Sequence, residues 1–133
     1  MGVSTNACLF YGICEMDEDD WRLPDDLAGK VGEESEEKMY SCYDFWNNIT
    51  YEKQDELEEQ LGVCVSTHCS GDYPLMLVAV KKSFIIANRG CPETAIMCEI
   101  TEEDKNNLTK MAYILHILED KRNFGWWLAS YWG

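Results

Sequence analysis

Residues 63 to 80 read Val63-Cys-Val-Ser-Thr-His-Cys-Ser-Gly-Asp-Tyr-Pro-Leu-Met-Leu-Val-Ala-Val80. Two apolar runs, Val63 to His68 and Leu75 to Val80, flank the turn Cys69 to Pro74, whose Ser, Gly, Asp and Pro residues favour chain reversal. The second run has six apolar residues in succession. A strand with one wet face would alternate, so this one reads as a central strand covered on both faces.

Outward from this hairpin, Ser83 to Ala87 continues or pairs with the central strand, Asn88-Arg-Gly90 marks a turn, and Ala95 to Ile100 reads as a further strand. Thr101-Glu-Glu-Asp104 supplies an N-cap and an acidic first turn. The helix it opens places Leu108, Met111, Ala112, Leu115 and Leu118 on one buried face. Phe124 to Gly133 reads as a terminal aromatic strand. Upstream, Ala7 to Cys14 is an apolar first strand that stops at Glu15. The acids that follow, through Pro24, Gly29 and Gly32, belong to an irregular loop. A helix is expected over Glu33 to Asn47, with Met39, Tyr43 and Trp46 as its stripe, and a second over Tyr51 to Leu61 between the Thr50 cap and Gly62. The expected fold is one α+β domain, a largely antiparallel sheet with helices packed on one face.

The 133 residues are 46% hydrophobic, enough for a proper core. The net charge of −14 is unevenly held: residues 1–61 carry 17 acids and 4 bases, residues 62–133 carry 8 and 7. An acidic half repels nucleic acid and anionic membrane and attracts basic protein surfaces, unless it is simply a solvated face. No apolar run is long enough to span a bilayer, and no signal peptide opens the chain, so a cytosolic location is expected. The seven cysteines are odd in number and form no Cys-x-x-Cys pair, which favours free thiols over disulfides or zinc. The acids from Glu15 to Asp26 lack the EF-hand spacing, so no metal and no cofactor are expected.

The turn Thr67 to Pro74 is the most chemically loaded segment, with imidazole, thiol, hydroxyl, carboxylate and phenol close together. His68 and Cys69 point to opposite sides of an extended chain, so the one does not simply activate the other. The turn serves its own backbone or binds a polar ligand, and a hydrolase built on His68 and Asp72 is the least supported reading. His116 lies between apolar neighbours on its helix and reads as partly buried. On the last strand Trp126, Leu128 and Ser130 face one way, while Trp127, Ala129 and Tyr131 face the other. One set belongs to the core, and the other caps a sheet face, stacks on a ligand or forms a homodimer contact.

Three segments, Met1-Gly-Val-Ser-Thr-Asn-Ala with Leu9-Phe-Tyr-Gly-Ile13, His68-Cys-Ser-Gly-Asp-Tyr-Pro74, and Gly125-Trp-Trp-Leu-Ala-Ser-Tyr-Trp-Gly133, together resemble a family of small phage-encoded proteins of unassigned function. They cover roughly a third of the chain. Asn6 stands where such proteins usually carry an aspartate, which weakens any catalytic role there. The resemblance implies a phage accessory protein and, by analogy, one that blunts a host defence.

Two functional expectations follow. In the first, a non-enzymatic inhibitor such as an anti-CRISPR acts in the host cytoplasm and covers a basic, nucleic-acid-binding surface of a defence protein. It would use Glu15, Asp17, Glu18, Asp19, Asp20, Asp25 and Asp26 with Trp21, and Glu52, Asp55, Glu56 and Glu59 with Tyr51. In the second, a sponge sequesters a nucleotide second messenger through His68, Ser70, Asp72, Tyr73, Arg89, Trp127 and Tyr131, helped by Ser4, Thr5, Lys81 and Lys82. Neither involves direct binding to nucleic acid or membrane.

Overall fold

The structure, a computed structural model, describes residues 5–32, 34 and 36–132. In chain order it forms β1 (Thr5–Cys14), α1 (Cys42–Asn47), α2 (Tyr51–Leu61), β2 (Val63–Ser70), β3 (Pro74–Val80), a 3-10 turn at Lys81–Ser83, β4 (Ile85–Ala87), α3 (Glu102–Ile114), a 3-10 turn at Glu119–Lys121 and β5 (Gly125–Trp132). This is a single α+β domain with one mixed sheet of five strands.

Strand β1 organises the sheet. One of its edges pairs with β5, with Leu9 opposite Leu128 and Tyr11 opposite Trp126. Its other edge takes β4 near the start (Cys8 opposite Ile86) and β3 near the end (Gly12 opposite Ala79). Strand β3 pairs with β2 in the expected hairpin, and β2 meets the end of β5 in a short parallel pairing, Cys69 opposite Tyr131. The pairings therefore run in a circuit, β1 to β3 to β2 to β5 and back, so the sheet curls around an interior.

The two faces of β3 look into two cores, as its unbroken apolar run requires. Leu77 and Ala79 point inward with Cys8, Phe10 and Cys14 of β1, and Cys64, Phe84, Trp127 and Ala129 close this interior. Phe10 and Phe84 stack there at 5.8 Å. Met76, Val78 and Val80 point outward, where Ile13 and Val63 join Leu108, Met111, Ala112 and Leu115 of α3 and Trp21, Cys42 and Trp46. Helix α3 begins at the expected cap, with the Thr101 and Asp104 side chains reciprocally bonded to backbone N–H groups.

Four expected elements differ. Ser83 to Ala87 neither continues nor pairs with the central strand β3, because the 3-10 turn at Lys81–Ser83 carries the chain across and β4 pairs with β1 instead. Only Cys42–Asn47 of the Glu33 to Asn47 helix forms, because the backbone of the preceding residues is spent on the acidic loop. Leu23 N–H donates to the Tyr40 carbonyl, Met39 N–H to Lys30 and Cys42 N–H to Trp21. Residues 33 and 35 of that segment lie outside the described residues, as do Ser4 and Gly133. Ala95 to Ile100 forms no strand, and Ile96 and Met97 stay exposed, so burial gives this segment nothing to pair for. Leu118, expected on the buried face of α3, is 48% exposed. The helix ends at Ile114, His116 adopts a left-handed φ of 62°, and Ile117 enters the core instead.

Gly12 sits at the tightest crossing of β1 over β3. A Cβ added there would run into the Val78 carbonyl oxygen, a backbone atom that cannot swing aside. Gly12→Ala should therefore destabilise the chain by about 3 kcal/mol or more, the upper end of overpacking costs. Urea denaturation of the two chains measures the difference, and a change below about 1 kcal/mol would contradict this close approach.

Candidate functional site

The acidic loop is fastened from its first residue. Glu15 is only 6% exposed, and its two carboxylate oxygens accept from Trp21 N–H and Met76 N–H, both at 3.0 Å. Its own N–H donates to the Met76 carbonyl at 2.9 Å. Burial pushes the Glu15 carboxyl above its usual range; the two N–H donors oppose this, and Asp20 and Asp19 add to it. Trp21 is 2% exposed, packs in the outer core, and its indole N–H finds no hydrogen-bond partner among the described residues. Glu15 and Trp21 thus do not belong to the expected contact surface, because both are used in holding the loop against β3.

The remaining acids divide by exposure. Asp17, Glu18, Asp19, Asp25 and Asp26 are exposed, whereas Asp20 is half-buried and paired with Lys121 at 2.9 Å. On α2, Glu52, Asp55, Glu56 and Glu59 are exposed and recur at helical spacing, so they share one solvent-facing stripe. Tyr51 is exposed beside them. Glu58 leaves the stripe to accept from Val65 N–H at 3.2 Å, and burial raises its carboxyl.

The second candidate set does not gather into one pocket. The His68 imidazole turns inward: Nε2 lies 2.7 Å from the Glu15 carbonyl oxygen and 3.1 Å from Cys14 Sγ. A carbonyl only accepts, so Nε2 carries the proton and cannot take one from the thiol. Burial lowers the His68 pKa and pushes the Cys14 thiol up to about 12. Asn123 completes a Cys–His–Asn grouping that the sequence reading missed, yet it bonds the Cys14 backbone, not the imidazole: Cys14 N–H donates to Asn123 Oδ1 and Asn123 Nδ2 to the Cys14 carbonyl, both at 3.0 Å. A neutral thiol beside an imidazole that presents its N–H is a packed joint, not a nucleophile and base.

The other members are scattered. Asp72 and Tyr73 are exposed on the turn, away from the inward imidazole, and Ser70 Oγ accepts from Tyr73 N–H at 3.1 Å. Trp127 lies inside, donating to the Asn123 carbonyl at 3.0 Å, while Leu128 on the opposite face of β5 is 77% exposed. Arg89 N–H donates to Asn6 Oδ1 at 3.3 Å, and Lys82 is paired with Asp104 at 2.9 Å. Tyr131 alone of the seven lines the mouth of the curled sheet, with Asn6, Ser66, Thr67 and Phe84. That cavity is 220 Å³, whereas small-molecule sites typically hold about 300–1,000 Å³.

Comparison with known protein families, curated proteins and solved structures finds no match. Among the described residues no group of three or more His, Cys, Asp or Glu side chains could hold a metal ion, and no helix is long and apolar enough to cross a membrane.

Because the folded Glu15 carboxyl titrates above its unfolded value, the native chain holds more protons just above pH 4.5, and its stability falls as pH rises through that window. Glu15→Gln should lose this slope, so the advantage of the parent chain over the variant should be largest at low pH and shrink toward neutrality. Denaturation at several pH values measures it; an advantage that grows with pH would reverse the assignment.

Cys91 is exposed, whereas Cys14 and Cys42 are buried, with thiols pushed up to about 12. Brief alkylation of the native chain at pH 8 should label Cys91 first and leave Cys14 and Cys42 unmodified until denaturant is added. Rapid labelling of Cys14 on peptide mass mapping would show an activated thiol.

Proposed function

We propose that the chain is a phage accessory protein that inhibits a host antiphage defence, acting in the host cytoplasm without catalysis. Its acidic surface occupies a basic, nucleic-acid-binding surface of a defence protein. The observation that carries this reading is the α2 stripe. Glu52 to Glu59 spans eight residues, seven helical steps, and holds four exposed carboxylates in three intervals. At the helical rise this is about 3.5 Å of axis per charge, close to the roughly 3.4 Å per phosphate along one DNA strand. Asp17, Glu18, Asp19, Asp25 and Asp26 add a second exposed group on a loop held in place by Glu15. None of these nine carboxylates is in a salt bridge among the described residues, so their charge is free to attract a basic partner. Two such acidic copies would repel, and self-association would use the outer face of β5, where Leu128 is exposed and neither β1 nor β5 carries a charge.

The test is a phage challenge in bacteria that express the chain together with a nucleic-acid-guided nuclease defence. The parent chain should restore plaque formation. A variant carrying Asp17→Lys, Glu18→Lys, Glu52→Lys and Glu56→Lys should fold normally, since all four are exposed, and lose at least about tenfold in protection, each exposed ion pair being worth up to about 1 kcal/mol. Equal protection by the folded variant would rule out the acidic surface as the point of contact.

A further inference from the structure

The helical side of the molecule carries a feature of the opposite sign. A trough of 760 Å³ lies between residues 27–32 and α2, and another of 430 Å³ lies between α2 and α3. Leu57 and Ile114 line both, so the two form one continuous groove. Its floor is apolar, with Leu27, Phe45 and Ile49 extending from that shared pair, and Tyr113, 76% exposed, forms a wall. Among the described residues its charged lining is Lys30, Lys53, Lys110 and Arg122 against one acid, Glu34. In a chain with 11 bases and 25 acids, that ratio is inverted. Lys30, Lys53 and Lys110 are exposed and make no ion pair among the described residues.

We propose that this groove receives an amphipathic helix of a partner protein, apolar on one side and flanked by Glu or Asp. The apolar floor accepts the helix stripe, and the lysines on either side select for acidic flanks. On α2 the groove runs from Lys53 to Leu61, about 12 Å of axis, and with residues 27–32 it suits a helix of about three turns. The occupant is a helix and not a lipid surface, because the apolar residues lie in a trough that a helix can enter, whereas a flat anionic bilayer would also meet the exposed acids of α2. This surface is separate from the acidic stripe and stands whether or not that stripe binds a basic partner.

The test uses two synthetic helical peptides with the same leucine stripe, one flanked by glutamates and the other by lysines, titrated into the isotope-labelled full chain. A protein of net charge −14 acting only through its overall field would prefer the lysine peptide. The groove predicts the reverse: the glutamate peptide binds at least about tenfold tighter, with resonance shifts centred on Lys53, Leu57, Lys110 and Tyr113. Lys53→Glu with Lys110→Glu, both exposed, should abolish that preference, whereas Tyr113→Ala should weaken both peptides and leave it intact. Tighter binding of the lysine peptide, shifts outside the groove, unchanged binding by the double variant, or capture by phosphatidylserine vesicles in place of the peptide would overturn the proposal.

Discussion

A buried carboxylate holds the architecture together. Glu15 follows directly on β1, and its side chain satisfies one N–H of the acidic loop and one of β3, while its carbonyl accepts from the imidazole on β2. Three segments distant in sequence thus converge on one residue. Hydrogen bonds to a charged group contribute roughly 1.5–3 kcal/mol each, and removing a carboxylate from water costs several kcal/mol. The two nearly cancel, so the net gain in stability is small. The gain is geometric: with Trp21 N–H fixed, the loop leaves the sheet in one direction, and the acids beyond it are held in solvent.

The curled sheet depends on a second constraint. Strand β1 must serve β5 on one edge and both β4 and β3 on the other, which requires it to pass close to β3 at Gly12. Once β2 meets β5, the enclosed face needs apolar filling of moderate size, and Cys8, Cys14 and Ala79 provide it beside Phe10 and Leu77. The cysteines there are small apolar side chains in a crowded interior, which is why their thiols are driven away from ionisation.

Much of this was legible in the sequence, and the failures have physical causes. The unbroken run of β3 announced a strand covered on both faces. Thr50, Gly62 and the Thr101–Asp104 pair marked helix ends because caps are local chemistry. The Glu33 to Asn47 helix was misread because its apolar spacing is satisfied equally by a short α1 and by bridges to the acidic loop. The signal for the true start was present in Ser41 and Asp44, which form a capping box. Ala95 to Ile100 has strand-like composition, but composition does not reveal whether a segment will be buried, and Ile96 and Met97 are not. Glu15 was grouped with its acidic neighbours, since nothing in sequence separates a carboxylate that caps backbone amides from one that faces water. The parity that places Cys64 on the inner face also places His68 there, but its meeting with Cys14 and Asn123 is long-range and needs the closed sheet.

Charge is sorted on this molecule, not merely abundant. The exposed loop and α2 stripe carry nine acids that make no salt bridge among the described residues, and their mutual repulsion costs stability. Lys53 belongs to the same helix as the stripe, yet it lies with Leu57 in the groove and pairs with no glutamate among the described residues. A helix shaped only for its own stability would place Glu and Lys four apart on one face, as isolated helices favour. Here the lone lysine of α2 stands beside the acidic stripe without an ion pair among the described residues, next to apolar residues of the groove. An arrangement of that kind gives up a few tenths of a kcal/mol per missed pair and leaves two surfaces whose charges remain unneutralised within the chain. Unneutralised charge adjoining apolar floor is what recognition requires of a surface, and the stripe and the groove both derive their character from the same refusal of local pairing.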